Sequence, residues 1–345
     1  MPRRPQFLAG LLALAVAATA VGVTVFLHVK PAAAAGEATA NQVLTVQTAS
    51  PTATTAKIDL WQRNSIGQFV HIWGSAPGFV GELGVGRTAD NIARTPAGVF
   101  TLTQAFGNQP NRGTRLPYFL AGPSDWWNGE DNSPAYNTHV RQAASPGPNS
   151  ENLYRAGVVY SRAVVINYNT SPVVKGAGSA FFLHVSNGQP TAGCVSMPAN
   201  LLDQVMYLLD PKQHPVISIG VGAAATTLIT RTNNGVATKR NPFGSLDSVT
   251  PTGGRVARVV GWAADPDNLN ARLTVKIYID NLGYGAYATG VPRPDVVRTR
   301  HTGPNPGYSQ LITLKPGAHQ VCTYAVNIGI GNANSRLGCK YITVR

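Results

Sequence analysis

The sequence predicts a mostly β protein in two domains, and three observations carry that expectation. Its 345 residues include 36 Gly and 25 Pro, alongside abundant Thr, Val and Ala, which favour strands and turns over helices. Five runs in the first half, FVHIWGS, GVFTLTQAF, AVVINYN, SAFFLHV and PVISIGV, are each β-rich and bounded by Gly, Pro or Asn. A second set, RVARVVGWAAD, ARLTVKIYID, GAYATGV, YSQLITL, HQVCTYAVN and KYITVR, alternates as an antiparallel, immunoglobulin-like sandwich does.

Taken in order, residues 1–35 read as a signal peptide or signal anchor. Arg3 and Arg4 precede an apolar run from Phe7 to Leu27, and Ala32 to Ala35 offer small residues for cleavage. The run has about the length of a membrane span, so removal and retention as an anchor both stay open. Either way the rest of the chain is expected outside the cytoplasm, extracellular or bound to the envelope. Residues 36–54, rich in Thr, Ala and Ser, read as a flexible tether. Residues 55–222 form the first domain, 223–254 a second linker, and 255–345 the sandwich. One segment, Ala199 to Leu209, has the 3–4-residue apolar spacing of a short helix.

The net charge is +13, falling to +10 without Arg3, Arg4 and Lys30. Residues 55–222 are nearly balanced, with 11 basic and 9 acidic residues, whereas 255–345 carry 11 basic and 4 acidic. A basic tail outside the cell suits an anionic cell-wall polymer better than nucleic acid; a merely solvated basic surface is the plain alternative. Asp265 and Asp267 in GWAADPDN could ligate calcium, but an Asp-Pro-Asp turn accounts for them equally simply.

Of 3 cysteines, Cys322 and Cys339 lie in two β-like runs joined by a turn-rich stretch, which pairs them as a disulfide. Cys194 is left alone. An exported chain that keeps an unpaired thiol exposes it to oxidation, so the thiol calls for a chemical purpose. Cys194 sits in AFFLHVSNGQPTAGCVSMP, ten residues after His184. A cysteine placed before a helix gains thiolate character from the positive helix end. Gly193 allows a tight turn beside a reacting centre, the Gly193 and Cys194 amides could point at one oxyanion, and His184 could take the thiol proton. A buried, inert cysteine fits the same spacing. A zinc site built from Cys194 with His184, His71, His139 or His214 has no ligand spacing behind it. No cofactor motif appears.

At these residues the sequence resembles a known family. FFLHV followed by PTAGCVSMP resembles the catalytic signature of the L,D-transpeptidase (YkuD-like) family. RTPAGVFTLTQAFG resembles that family's Thr-Pro-x-Gly-x-Phe strand entry, and DWWNGEDNSPAYN and INYN resemble cleft-lining segments of actinobacterial members. The likeness covers about Lys57 to Gly222. GWAADPD, CTYAVNIGIG and LGC further resemble β-sandwich modules of secreted actinobacterial cell-wall hydrolases, which implies attachment or spacing.

The resemblance implies a β-sandwich or barrel-like catalytic domain, with a short helix after a cysteine nucleophile. Such enzymes hold a peptidoglycan stem peptide as a thioester, release D-alanine, and pass the stem to an amine. Carried over, Cys194 is the nucleophile, His184 the general base, Gly193 the oxyanion-site glycine, and Thr191 the Ser/Thr position. Ala192 stands where many members have a second histidine, and Ser196 where many have Arg or Asn. Trp126, Tyr136 and Asn137 are candidate substrate contacts, with packing of their loop as the alternative; Thr191 and Ser196 join them. The expected activity is peptidoglycan L,D-transpeptidation. L,D-carboxypeptidase hydrolysis of the same acyl-enzyme is one alternative, and a non-catalytic envelope-binding protein is another.

Overall fold

The computed structural model describes residues 36–345, so the expected signal segment lies outside the described residues. Within them no helix is long and apolar enough to cross a membrane. The first domain is organised on one ten-stranded sheet. Its strands run, in spatial order, Gly98–Thr101, Val216–Val221, Gln42–Thr48, Thr55–Arg63, Phe69–Phe79, Val195–Met197, Phe182–Val185, Ala163–Val165, Ala105–Gly107 and Tyr118–Leu120.

The tether expected over 36–54 is corrected here. Gln42–Thr48 is a central strand, parallel to Val216–Val221 on one side and antiparallel to Thr55–Arg63 on the other. Val43, Leu44 and Val46 are fully buried. Buried residues lie on both faces of this strand, so its apolar residues do not alternate, and the intervening Gln and Thr masked it.

The linker expected over 223–254 is also corrected. Thr227–Lys239 is an α-helix and Phe243–Gly253 is a strand of the second domain. The helix sequence TLITRTNNGVATK is poor in helix formers and holds a glycine. Tertiary contacts fix it instead. Leu228 and Ile229 pack with Ala40, Val43, Phe69 and Val216. Asn233 accepts from the Phe69 N–H at 2.7 Å and donates to the Phe69 carbonyl at 2.9 Å. At the far end Arg240 donates to the Pro266 carbonyl at 3.0 Å, and the Asn241 and Asn332 side chains meet at 3.0 Å.

The second domain is a β-sandwich. A three-stranded sheet (Phe243–Gly253, Val256–Ala264, Gly307–Thr313) faces a four-stranded one (Leu282–Ala288, Thr274–Ile279, Gly317–Ala325, Ser335–Val344). Val259, Leu273, Val275, Tyr308, Ile312 and Val321 fill the space between them. Cys322 and Cys339 are cross-strand partners joined by a disulfide, as the sequence predicts. Asp265 accepts from the Asp267 N–H at 2.9 Å, and Asp267 from the Ile330 N–H at 2.6 Å. These carboxylates tie a turn to the 327–331 loop.

Candidate active site

Cys194 stands at the entrance to Val195–Met197, a strand parallel to Phe182–Val185 with Leu183 opposite Val195 and His184 opposite Ser196. Strand alternation sorts the side chains. Leu183, Val185, Val195 and Met197 face the main core, whereas Phe182 and Cys194 face a second cluster with Phe106, Tyr160 and Trp127. His184 lies on this second face, its ring edge-on to Tyr160 with centroids 5.4 Å apart. After Met197 the chain enters the helix Ala199–Leu208, where the apolar spacing placed one.

The turn before the cysteine is built by hydroxyls. Thr191 Oγ1 donates to the Cys194 carbonyl at 2.6 Å and accepts from the Gly193 N–H at 3.1 Å. Thr95 Oγ1 donates to the same carbonyl at 3.2 Å. Gly193 has φ +142°, and a Cβ there would stand 2.8 Å from Phe181 Cε1. Glycine is therefore required by conformation and by space. Its N–H, expected at an oxyanion, is committed to Thr191.

The thiol is buried but lies on the wall of a cavity of about 380 Å³. The cavity runs between the 89–93 loop, the 148–151 segment and the backbone of 178–181 and 192–194. Among the described residues, its only charged lining residues are Asp90 and Glu151. Two acids on the wall of a site in a basic chain favour a ligand that carries an ammonium group. Ala192, in the place of the expected histidine, contributes a methyl group to this wall.

Cys194 Sγ accepts from the Phe182 N–H at 3.4 Å and reaches the Ala180 carbonyl at 3.4 Å. Ala180 itself has φ +59°, an unusual conformation for a residue with a Cβ. Asn137 holds it there, its Oδ1 accepting from the Ala180 N–H at 3.2 Å and from Trp127 Nε1 at 2.9 Å. Tyr160, with a buried hydroxyl, packs in the same cluster as the thiol. That hydroxyl donates to Glu151 Oε2 at 2.5 Å. Burial, then the Glu151 charge, pushes the thiol up to about 12, against the lowering effect of Phe182 N–H and Tyr160. The resting sulfur is a thiol.

His184 is buried, and burial lowers its pKa below the usual imidazole value. Its Nδ1 lies 2.9 Å from the Val185 carbonyl. A carbonyl only accepts, so Nδ1 carries the proton and Nε2 keeps a lone pair. The neutral imidazole is thus a base, set behind Tyr160 on the face that holds the thiol.

The five expected substrate contacts do not line the cavity. Trp126, Tyr136, Asn137, Thr191 and Ser196 are all buried. Trp126 Nε1 is bound to the Gln142 carbonyl, and the Tyr136 hydroxyl donates to Asp90 at 2.8 Å. These residues brace the wall from behind because their polar atoms are satisfied within the protein; Ser196 Oγ alone has no partner. Among the described residues no three His, Cys, Asp or Glu side chains are grouped to hold a metal. Glu151 and Tyr160, nine positions apart in ENLYRAGVVY, escaped sequence reasoning. A short strand beside Asp125–Asn128 supplies one and the 3₁₀ turn Gly157–Tyr160 the other, and no spacing rule joins those to Cys194.

Residues 63–217 match the model of the YkuD family, the L,D-transpeptidase catalytic domain. The segment is an L,D-transpeptidase-type domain. The match ends within the Val216–Val221 strand, and Gln42–Thr48, which precedes it, completes the same sheet. No curated protein matches the chain in sequence. Among solved structures, the fibronectin(III)-like modules of Clostridium thermocellum CbhA align at 12% identity with a TM-score of 0.21, covering 71% of this chain and 90% of that one. A likeness at that score carries no argument about this chain.

Proposed function

We propose that the protein is a peptidoglycan L,D-transpeptidase with Cys194 as its nucleophile. The observation that carries the reading is one free thiol, on the wall of a 380 Å³ cavity, inside the segment that matches the family. The family is cysteine-dependent and acts on peptidoglycan stem peptides. Cys194 adds to the carbonyl of the stem peptide, D-alanine leaves, and the stem remains as a thioester. An amine then resolves it and makes the cross-link. Asp90 and Glu151 on the cavity wall favour an ammonium-bearing acceptor, which supports transfer over the hydrolysis of an L,D-carboxypeptidase. A base is needed in each half of the reaction, and His184 has the protonation state for one.

Action on the wall requires export, in keeping with the 1–35 segment and with a disulfide between Cys322 and Cys339. The sandwich, with its excess of basic residues over 255–345, is proposed to hold anionic cell-wall polymer. Binding of the full chain to isolated walls should then weaken steeply as salt rises; binding that ignores salt would remove the electrostatic argument.

The decisive experiment is intact-mass analysis after incubation with a tetrapeptide stem or a carbapenem. An adduct on Cys194 is expected in the natural protein and none in Cys194→Ala. If neither reagent acylates the thiol, the chain is not this enzyme, and the envelope-binding reading takes its place. Products formed with and without an amine acceptor separate transfer from hydrolysis.

A further inference from the structure

The four-stranded sheet of the sandwich carries an open groove on its outer face. Strand alternation turns Val275, Ile277, Val321 and Ala325 into the core, so Lys276, Tyr278, Cys322 and Tyr324 point the other way. Register then assembles them. Lys276 stands opposite Tyr324 and Tyr278 opposite Cys322, while Tyr324 faces Arg336 and Cys322 its disulfide partner Cys339. On the edge strand Gly283 and Ala286 lie opposite Tyr278 and Lys276, and neither is large enough to cover them. The groove has a volume of about 310 Å³ and is lined by Lys276, Tyr278, Asn281, Cys322, Tyr324 and Asn334. Tyr278 and Tyr324 form a corner, with ring centroids 5.3 Å apart and planes at 74°. Aromatic faces carry partial negative charge, which attracts the C–H groups of a sugar ring. The polar groups around this corner are unspent: among the described residues, Lys276 Nζ, both tyrosine hydroxyls, the Asn281 amide and Asn334 Nδ2 have no protein partner. The hydroxyls of Tyr284, Tyr308 and Tyr341, by contrast, are all bonded within the sandwich. No acidic residue lines the groove, and nearby Asp280 is held by His319 and the Gln320 N–H. A ligand that satisfies such a set is rich in acceptor oxygens and negatively charged.

We propose that this groove binds a wall polysaccharide whose sugars are joined by phosphodiesters. A sugar ring packs into the corner of Tyr278 and Tyr324, and Lys276 and Arg336 take the phosphates that flank it. Asn281 and Asn334 bond the sugar's hydroxyls. Two features of the face select phosphodiesters. Lys276 and Arg336 lie on opposite sides of Tyr324, two strand spacings or about 10 Å apart. An anion on each side of a ring is the pattern of a phosphate-linked chain, whereas a uronic acid carries its carboxylate on the ring itself. Lysine, moreover, suits phosphate as a point charge. Both cations are exposed, and the ion pairs of the sandwich engage Arg240, Arg293 and His319 instead. The proposal rests on the reading of the sandwich as the part that holds anionic wall polymer, and is independent of the chemistry at Cys194.

Binding of the full-length protein to three probes tests the ligand class: soluble poly(N-acetylmannosamine 1-phosphate), polygalacturonate and neutral dextran. The phosphodiester polymer should bind about tenfold more tightly than polygalacturonate, and dextran least. Isolated walls stripped of phosphodiester-linked polymer by hydrofluoric acid should lose most of their capacity for the protein. Tyr324→Ala and Lys276→Gln should each weaken binding about tenfold, and Lys276→Gln and Arg336→Gln should both flatten its salt dependence. Tyr278→Ala removes the other wall of the corner and gives a second reading of the aromatic contribution. Lys340→Gln is the control, because Lys340 lies opposite the inward Val321 and removes the same charge from the other side of the sheet. It should bind as the natural protein does. Matching thermal midpoints establish that each variant is folded. Equal losses in Lys276→Gln and Lys340→Gln would mean diffuse attraction and overturn the site. Polygalacturonate binding as tightly as the phosphodiester polymer, or stripped walls binding as well as intact ones, would overturn the ligand class. Salt-sensitive wall binding that survives in every groove variant removes this site and leaves the sandwich reading standing; a natural protein that binds no wall at any salt removes both.

Discussion

Alanine at position 193 is expected to slow acylation of Cys194 about 100-fold, the usual cost of a reacting group misplaced by an ångström. Gly193 has φ +142°, where a residue with a Cβ is strained, and its added methyl would meet Phe181 Cε1 at 2.8 Å and the Arg94 carbonyl at 3.3 Å. Phe181 is itself buried, so the ring has little room to withdraw. The backbone must move instead, breaking the Gly193 N–H bond to Thr191 and carrying the sulfur with it. The same substitution should cost about 1–3 kcal/mol of stability through strain. Gly188→Ala is the control, since Gly188 has φ +85° but nothing within 4 Å of its Cβ position. It should show strain alone and keep the reaction. Thermal unfolding beside acylation rates reads both, and full acylation in Gly193→Ala would refute the argument.

Asp203→Ala is expected to destabilise the protein by about 3 kcal/mol, at the lower end for a broken buried pair. Arg162 is 9% exposed, and its guanidinium is ion-paired to Asp203, with Nη2 3.0 Å from Oδ2. The same Nη2 donates to the Ala199 carbonyl at 3.2 Å, on the first turn of the helix that follows the cysteine strand. Without Asp203 a charge remains buried with neutral partners only. Partial exposure of the Asp203 side chain, 29%, admits some water and keeps the loss below the maximum. The double variant Arg162→Met/Asp203→Leu should recover most of it, because the desolvation cost disappears with the charge. Urea midpoints check both. A single variant within 1 kcal/mol of the natural protein would mean that the pair contributes little.

The parts of the site that were legible in the sequence are those where one local rule settles the matter. The apolar spacing from Leu201 to Leu209 fixed the helix, the turn between Cys322 and Cys339 fixed their pairing, and Gly193 before a lone thiol pointed to the thiol that the fold sets on the cavity wall. What escaped depends on contacts distant in sequence. Gln42–Thr48 is buried because strands from 55–63 and 216–221 close on it. Thr227–Lys239 is helical because a core and the Phe69 backbone hold it. The aromatic loop around Trp126 and Tyr136 looked suited to a ligand, yet it faces inward, because Asn137 and Asp90 satisfy its polar atoms. Glu151 became visible only once the fold carried its strand to the cavity.

The helix Thr227–Lys239 has a mechanical consequence. It is gripped by the ten-stranded sheet through Asn233 and by the sandwich through Arg240 and Asn241. A tether lets its cargo sample every direction, whereas a strut fixed at both ends works as a ruler. If the sandwich grips a wall polymer, the strut sets the distance and the angle at which neighbouring stems meet the cavity. For a transpeptidase, which cross-links come within reach would then be a matter of geometry along the glycan. Lengthening the strut by one turn, about 5.4 Å of rise, would move that reach and leave the chemistry at Cys194 as it was.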